Sequence, residues 1–259
     1  MKHFVISHQP FDWKVPFEHI EIGVGGYTPI NGIGAKDANG ALLDMEVAFG
    51  GIRSARTIQN IISKSDENET VALSSYRMFL GKNVSDQWNS AVPFDSRHRI
   101  VTPEFFLENH SSLVAQELPP DIDLMICSPV AFPCSVLEQY TAHHVDDLMF
   151  AVGCAIRGGL IDAKLAARVL TNNVLIPFGL YTSKAKFRYD MTDRFLWCVD
   201  DFYRKHHIPR EGAQRRSIDF AFERVLSICL YGKIISENLR VASSIPVLIS
   251  QTNSHTSSI

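Results

Sequence analysis

A chain of 259 residues, 46% of them hydrophobic, is long enough for one large α/β domain with a sizeable core. Its formal net charge of −3 and the lack of any Lys/Arg run exclude the basic field that non-specific nucleic-acid binding requires, while an anionic small molecule held by a few local arginines stays compatible. At 20% charged residues it does not belong to the disordered class.

Residues 3–7 read as a short strand ended by His8-Gln9-Pro10, and residues 19–24 alternate like a second strand. A Gly-rich loop runs from Gly25 to Gly40 and contains Lys36-Asp37-Ala38-Asn39-Gly40. Asp44 is placed to N-cap a helix reaching about Ile62, with Met45, Phe49, Ile52, Ile58 and Ile62 near helical spacing. Residues 70–73 form a third, buried strand that runs straight into Ser74-Ser75-Tyr76-Arg77-Met78-Phe79. Ligands of open α/β sheets sit outside the carboxyl ends of strands, and an Arg there suits a phosphate or carboxylate because its planar fork donates two parallel hydrogen bonds.

Residues 82–98 are polar and turn-rich. Residues 123–130 read as another apolar strand, closed by Pro129 and Pro133. One helix is expected over 136–160 with a Gly158-Gly159 stop, and a shorter one over 162–170. A strand at 174–178, a helix at 183–206 and a last helix at 211–231 follow, the last with Ile218, Phe222, Val225 and Leu226 on one face. The tail at 251–259 is Ser/Thr/Asn-rich and expected to be disordered. Strands dominate the first half and helices the second, which predicts an α/β sandwich with a helical C-terminal portion, residues 1–250 forming a single domain.

Five widely spaced cysteines without a Cys-x-x-Cys pair read as small buried hydrophobes in a reducing compartment. The N-terminal residues lack the pattern of a signal peptide, and no apolar run reaches the roughly 18 residues of a membrane span. A cytoplasmic location is the expectation.

Several short motifs have bland readings that compete with functional ones. Gly23-Val24-Gly25-Gly26 lacks the full spacing of a dinucleotide loop and no helix starts directly after it, which argues against a Rossmann oxidoreductase. Asp121-Ile122-Asp123 spells a sugar-transferase metal site but precedes its strand and follows Pro119-Pro120, the context of a strand-entry turn. In His143-His144-Val145-Asp146-Asp147, adjacent helical residues point about 100° apart and do not converge on one ion. His143 is the candidate there for lining a cleft. Arg216 and Glu223 lie two turns apart on one helix face, while Arg215 and Asp219 are spaced for a surface pair. A Glu beside an Arg serves equally as a general base or a structural ion pair.

Taken in order, these pieces resemble a bacterial family of glycosyltransferases of capsule, O-antigen and exopolysaccharide gene clusters. The family's series runs from a strand ending in His-Lys, through a strand ending in Val-Gly and an Asp-Asn loop, to a His-Tyr-Arg-Arg-x-Phe signature. Here His8-Gln9, Gly23, Asp37-Ala38-Asn39-Gly40 and Ser75-Tyr76-Arg77-Met78-Phe79 stand in those places. Gln139-Tyr140, His143 or His144, Asp147-Leu148, Asn173-Val174-Leu175-Ile176, Phe187, Arg216 and Glu223-Arg224-Val225-Leu226 continue the series over about residues 4–235. The signature His is Ser75, its second Arg is Met78, and the Lys after His8 is Gln9.

The resemblance implies a GT-A-like (Rossmann-related) fold, a mixed sheet flanked by helices, and transfer of a sugar from a nucleotide diphosphate sugar to a glycan or lipid-linked acceptor. His8, Gly25, Asp37, Tyr76, Arg77, His143 and Arg216 would bind the donor, and Asp147 or Glu223 would serve as the catalytic carboxylate. Arg77 stands where related enzymes carry metal-binding acids, so it would neutralise the leaving diphosphate directly. No cofactor is required on this reading, and a divalent metal is compatible but not indicated. Peripheral membrane association is compatible with a lipid-linked acceptor. The changed signature supports an alternative, a catalytically inactive nucleotide-sugar-binding or scaffold protein of the same fold. A metal-dependent hydrolase using His143 and Asp146 is a third class.

Overall fold

A computed structural model describes residues 1–11, 13–24, 27–34, 50–63, 66–115, 117–208, 211 and 217–250. The elements are, in chain order, β1 (Lys2–Ser7), β2 (Ile20–Gly23), β3 (Ile33–Gly34), α1 (Gly50–Ile62), β4 (Thr70–Ser75), β5 (Met78–Phe79), β6 (Val84–Ser85), β7 (Val92–Pro93), β8 (Arg99–Val101) and α2 (Pro103–Leu113). There follow β9 (Leu124–Cys127), β10 (Val130–Ala131), α3 (Val136–Tyr140), α4 (Val145–Arg157), α5 (Ala163–Thr171), β11 (Val174–Leu175), β12 (Tyr181–Lys184), α6 (Ala185–His206), α7 (Ser217–Ser236), β13 (Val241–Ser244) and β14 (Val247–Ile249).

The main sheet is mixed, with strand order β3-β2-β1-β4-β12-β9-β13-β6 and with β5, β14 and β8 branching from it. β1 pairs in parallel with β2 and β4, β13 pairs in parallel with β9, and β12 is antiparallel to both β4 and β9. The carboxyl ends of β1, β2, β4, β9 and β13 therefore share one edge, where β12 begins. β7, β10 and β11 form a separate small sheet.

Alternation along the strands divides the core between the two faces. Phe4 and Val71 face α1 with Ile22, Ile58, Ile62 and Ala185. In the same layer Leu124, Ile126 and Val241 face a large cluster built from the apolar sides of α3 to α7. On the other face Val5, Tyr76 and Phe79 pack with Val101 and Phe106, and Phe11, Trp13 and Phe17 close over them. This is a mixed α/β sheet flanked by helices.

Some expected elements differ. The third strand continues to Ser75, and Tyr76-Arg77 form a two-residue turn that brings Met78 opposite Ser75. The single helix expected over 136–160 is two, because the chain breaks between Thr141 and His144, and His144 begins α4 with extended backbone. Asp146 and Asp147 in the first turn of α4 favour that start through the helix dipole. The strand expected at 174–178 covers only Val174–Leu175, since Phe178 (φ 66°) and Gly179 (φ 61°) turn the chain in the left-handed region. Residues 183–184 belong to β12 rather than to the helix after it. After α7 the chain returns to the sheet as β13 and β14, so the C-terminal portion is not helical to its end. Asp44, Met45, Phe49 and the tail at 251–259 lie outside the described residues.

Candidate functional site

A cavity of about 400 Å³ opens at the shared carboxyl edge, on the helix-covered face of the sheet. Ile6 of β1 and Leu73 to Ser75 of β4 form its floor. Phe178 to Tyr181, leading into β12, form one wall; α1, α6 and α7 supply the others through Ser54, Ala55, Ile58, Met191, Thr192, Phe195, Asp219 and Glu223. Successive strand ends converge there because β1 and β4 run parallel and β12 antiparallel beside them. That crevice is where sheets of this kind bind ligands.

Glu223 brings to the cavity a carboxylate held at both oxygens. Its Oε1 accepts the Phe178 N–H at 2.5 Å, and its Oε2 accepts from Arg224 at 3.1 Å. The left-handed Phe178-Gly179 turn aims that N–H at the carboxylate, so the acid and the wall hold each other. Arg224 is in turn buried, donating to Gln139 Oε1 at 2.5 Å and to the Phe220 carbonyl at 3.0 Å, with Tyr140 5.2 Å away under its guanidinium. Asp219, one turn earlier on α7, brings a second carboxylate to the same cavity.

A second arginine lines the cavity. Arg188, in the first turns of α6, is only 3% exposed and lies 3.7 Å over the Tyr181 ring, donating through Nη2 to the Tyr181 carbonyl. Burial pulls its pKa down from the ordinary arginine value, and the neighbouring Tyr181 opposes that shift.

The residues singled out in the sequence fall into separate groups. His8, Tyr76 and Arg77 come together at the end of β1: the His8 ring meets Tyr76 edge-on at 5.2 Å, and the Arg77 guanidinium lies 5.8 Å from the Tyr76 ring. Tyr76 itself is 5% exposed and stacks on Phe11 at 5.6 Å, so its ring belongs to the core of the opposite face, and neither it nor Arg77 lines the cavity. His143 stacks on Phe220 at 4.7 Å, one layer behind the cavity wall. Asp147 is fully buried and accepts from Ser217 Oγ at 2.8 Å, while the Tyr140 hydroxyl donates to the Ser217 carbonyl at 2.7 Å. Burial pushes the Tyr140 phenol up to about 12. Of the two candidate carboxylates, Glu223 reaches the cavity and Asp147 does not. Gly25, Asp37, Arg215 and Arg216 lie outside the described residues.

Asp121 and Asp123 both pair with Arg240, whose guanidinium holds the Asp123 carboxyl below the usual carboxylate range. They brace the entry to β9 against β13, after a turn closed by Ile122 N–H to the Pro119 carbonyl at 3.0 Å. Among the described residues no three His, Cys, Asp or Glu side chains are grouped to hold a metal ion, and no helix is long and apolar enough to cross a membrane.

Arg188 is a cavity residue that the sequence does not single out, and Asp219, expected in a surface pair with Arg215, also lines the cavity. Arg188 carries a signal: a cation in the first turns of a helix opposes the helix dipole, so Lys186 and Arg188 at the start of α6 are unusual. Asp219 has none, because an acid near a helix start is ordinary.

No protein-family model matches the chain, and no curated protein matches it by sequence. The apo structure of the bifunctional glycosyltransferase WbbM is similar in fold, with a TM-score of 0.69 at 12% identity over 96% of this chain. The match covers 45% of the WbbM chain, so this chain spans less than half of that enzyme's length. The chain thus shares its fold with part of that enzyme, a mixed α/β sheet flanked by helices as expected from the sequence.

Proposed function

We propose that this chain is a glycosyltransferase that moves a sugar from a nucleotide diphosphate sugar to a glycan or lipid-linked acceptor in bacterial surface polysaccharide synthesis, with residues 1–250 acting as one domain. The observation that carries this reading is the fixed Glu223 carboxylate in a cavity at the carboxyl edge of a sheet of glycosyltransferase fold. An acceptor hydroxyl needs a base as it attacks the sugar carbon, and Glu223 lines the cavity with lone pairs beyond those given to Phe178 and Arg224. Asp147, sealed beneath Ser217, is less suited to that role.

On this reading the donor lies along the ends of β1 and β4. Its base is near His8 and its diphosphate is neutralised by Arg77, with Gly25, Asp37, Tyr76, His143 and Arg216 completing or backing the donor pocket. No cofactor is needed and a divalent ion remains compatible. The place of work would be the cytoplasm, at a membrane surface when the acceptor is lipid-linked.

Calorimetry with a panel of nucleoside diphosphates tests the donor site. Binding of at least one is expected, and Arg77→Ala should weaken it by about 2 kcal/mol, the range of a hydrogen bond to a charged group. A panel in which nothing binds would overturn the reading. The alternative, a binding or scaffold protein without turnover, draws on one observation: Ser75 and Met78 form the paired rungs of a tight hairpin whose Tyr76 is committed to the core. Release of nucleoside diphosphate from the bound donor, even slow, would decide for the enzyme.

A further inference from the structure

Buried guanidinium groups need partners, because a charge removed from water is costly unless it is paired and hydrogen-bonded. Arg224 follows that rule, with Glu223, Gln139 and the Phe220 carbonyl around it. Arg188 does not. It is as buried as Arg224, and Nε lacks a hydrogen-bond partner in both, yet among the described residues Arg188 forms no ion pair and donates only to the Tyr181 carbonyl. The Tyr181 ring beneath it offers a cation–π contact but no acceptor in the guanidinium plane. The open space beside it is the cavity, whose wall joins apolar Ile58, Leu73, Met191, Phe195 and Leu226 to polar Ser54, Thr192 and Glu223.

We propose that Arg188 binds a carboxylate on the ligand that fills this cavity, and that this ligand is a hydroxyl-bearing sugar acid. A guanidinium presents its donors in a fork that a carboxylate matches with two parallel bonds. The number of charges favours a carboxylate over a phosphate. Glu223 is already paired with Arg224, so Arg188 is the cation that the described lining of the cavity offers a ligand, and it balances a monoanion but not a dianion. Glu223 is an acceptor only, and the groups it would take from a ligand are hydroxyls. A cavity of about 400 Å³ has room for a sugar ring with substituents. The hydroxyl-bearing half of the proposal rests on the transferase reading above; the carboxylate half rests on Arg188 alone.

The test uses the full chain in titration calorimetry with glucuronate, galacturonate and N-acetylneuraminate. Glucose, galactose, the methyl ester of glucuronate, inorganic phosphate and uridine diphosphate are measured beside them. At least one acid is expected to bind about tenfold or more tighter than its neutral counterpart, a difference that disappears in Arg188→Gln and is partly kept in Arg188→Lys. The methyl ester carries the same argument without any substitution in the protein, since it removes the ligand's charge, and it should bind like the neutral sugar. Four results would overturn the proposal: no acid binds, an acid and its neutral counterpart bind equally, phosphate binds as tightly as the acids, or the preference survives Arg188→Gln. Uridine diphosphate separates this proposal from the donor reading. Its binding should be indifferent to Arg188→Gln, and failure of every nucleoside diphosphate to bind would count against the donor site while leaving an acid preference standing.

Discussion

Glu223 and His3 are both held by neighbours far away in the chain, and each has a measurable consequence. In Glu223→Gln the side-chain oxygen can still accept the Phe178 N–H, but an amide NH2 then faces Arg224 Nη1 and the negative charge is gone. If Glu223 is the base, kcat for sugar transfer should fall by about 10² to 10⁴, with the donor KM little changed. A steady-state assay reads that split, and an unchanged kcat would leave Glu223 as a wall support only. His3, 4% exposed and bonded to Ser74 Oγ at 2.8 Å, has its pKa lowered from 6.5 to about 4, chiefly by burial and secondarily by the charge of His19. The unfolded chain therefore binds an extra proton in that window, and the stabilising contribution of neutral His3 is full above about pH 6.5 and lost as pH falls toward 4. The loss amounts to about 3 kcal/mol by linkage. His3→Gln keeps a hydrogen-bonding group without titrating, so its urea midpoint should fall less than the wild type's between pH 6.5 and 4; parallel pH curves would refute the assignment.

At the scale of elements, the ends of helices and strands are more informative than their middles. Asp162 accepts from the Lys164 and Leu165 N–H groups at the start of α5, and that boundary is legible because Asp before an apolar-periodic run is a cap signal. Asp162→Ala should cost about 1 kcal/mol in denaturant unfolding. Thr102-Pro103-Glu104 carries an equally good signal for α2, with Thr102 accepting from Phe105 N–H and Pro at the first helical position, yet this helix is absent from the elements expected of the sequence. The break between α3 and α4 is not legible, since nothing in Thr141-Ala142-His143-His144 forbids a helix. What ends α3 is tertiary: Tyr140 is anchored to Ser217 of α7, and His143 stacks on Phe220. Gly23, the first glycine of the run that falls short of a dinucleotide loop, has a packing role, because a Cβ there would lie 2.2 Å from the Tyr27 carbonyl oxygen and 2.6 Å from Pro29 Cδ. Gly23→Ala should destabilise by about 1 to 3 kcal/mol, an overpacking effect visible as a lower thermal midpoint.

For the molecule as a whole, the last strands are indispensable. β13 is wholly buried, lying between β9 and β6, and β14 joins β5 to β8, so the final residues complete a sheet begun at the N-terminus. A chain ending at residue 238 should fail to fold and aggregate, with the β9 edge left open to unpaired backbone groups. A soluble truncated chain with native circular dichroism would contradict this. The sequence by itself determined the class: alternating short strands and amphipathic helices, a near-neutral charge, and strand ends that carry polar residues. The resemblance named Glu223 as a candidate beside Asp147, because a place in a collinear series is a property of order along the chain. Only the tertiary structure decided which candidates share a site. Strand pairing brings Ile6, Leu73 and Tyr181 to one edge, and side-chain alternation sends Tyr76 to the opposite face. Arg188 gained its meaning the same way, since a missing partner is a fact about space: the chain next to Arg188 does not reveal that, among the described residues, no carboxylate forms an ion pair with it.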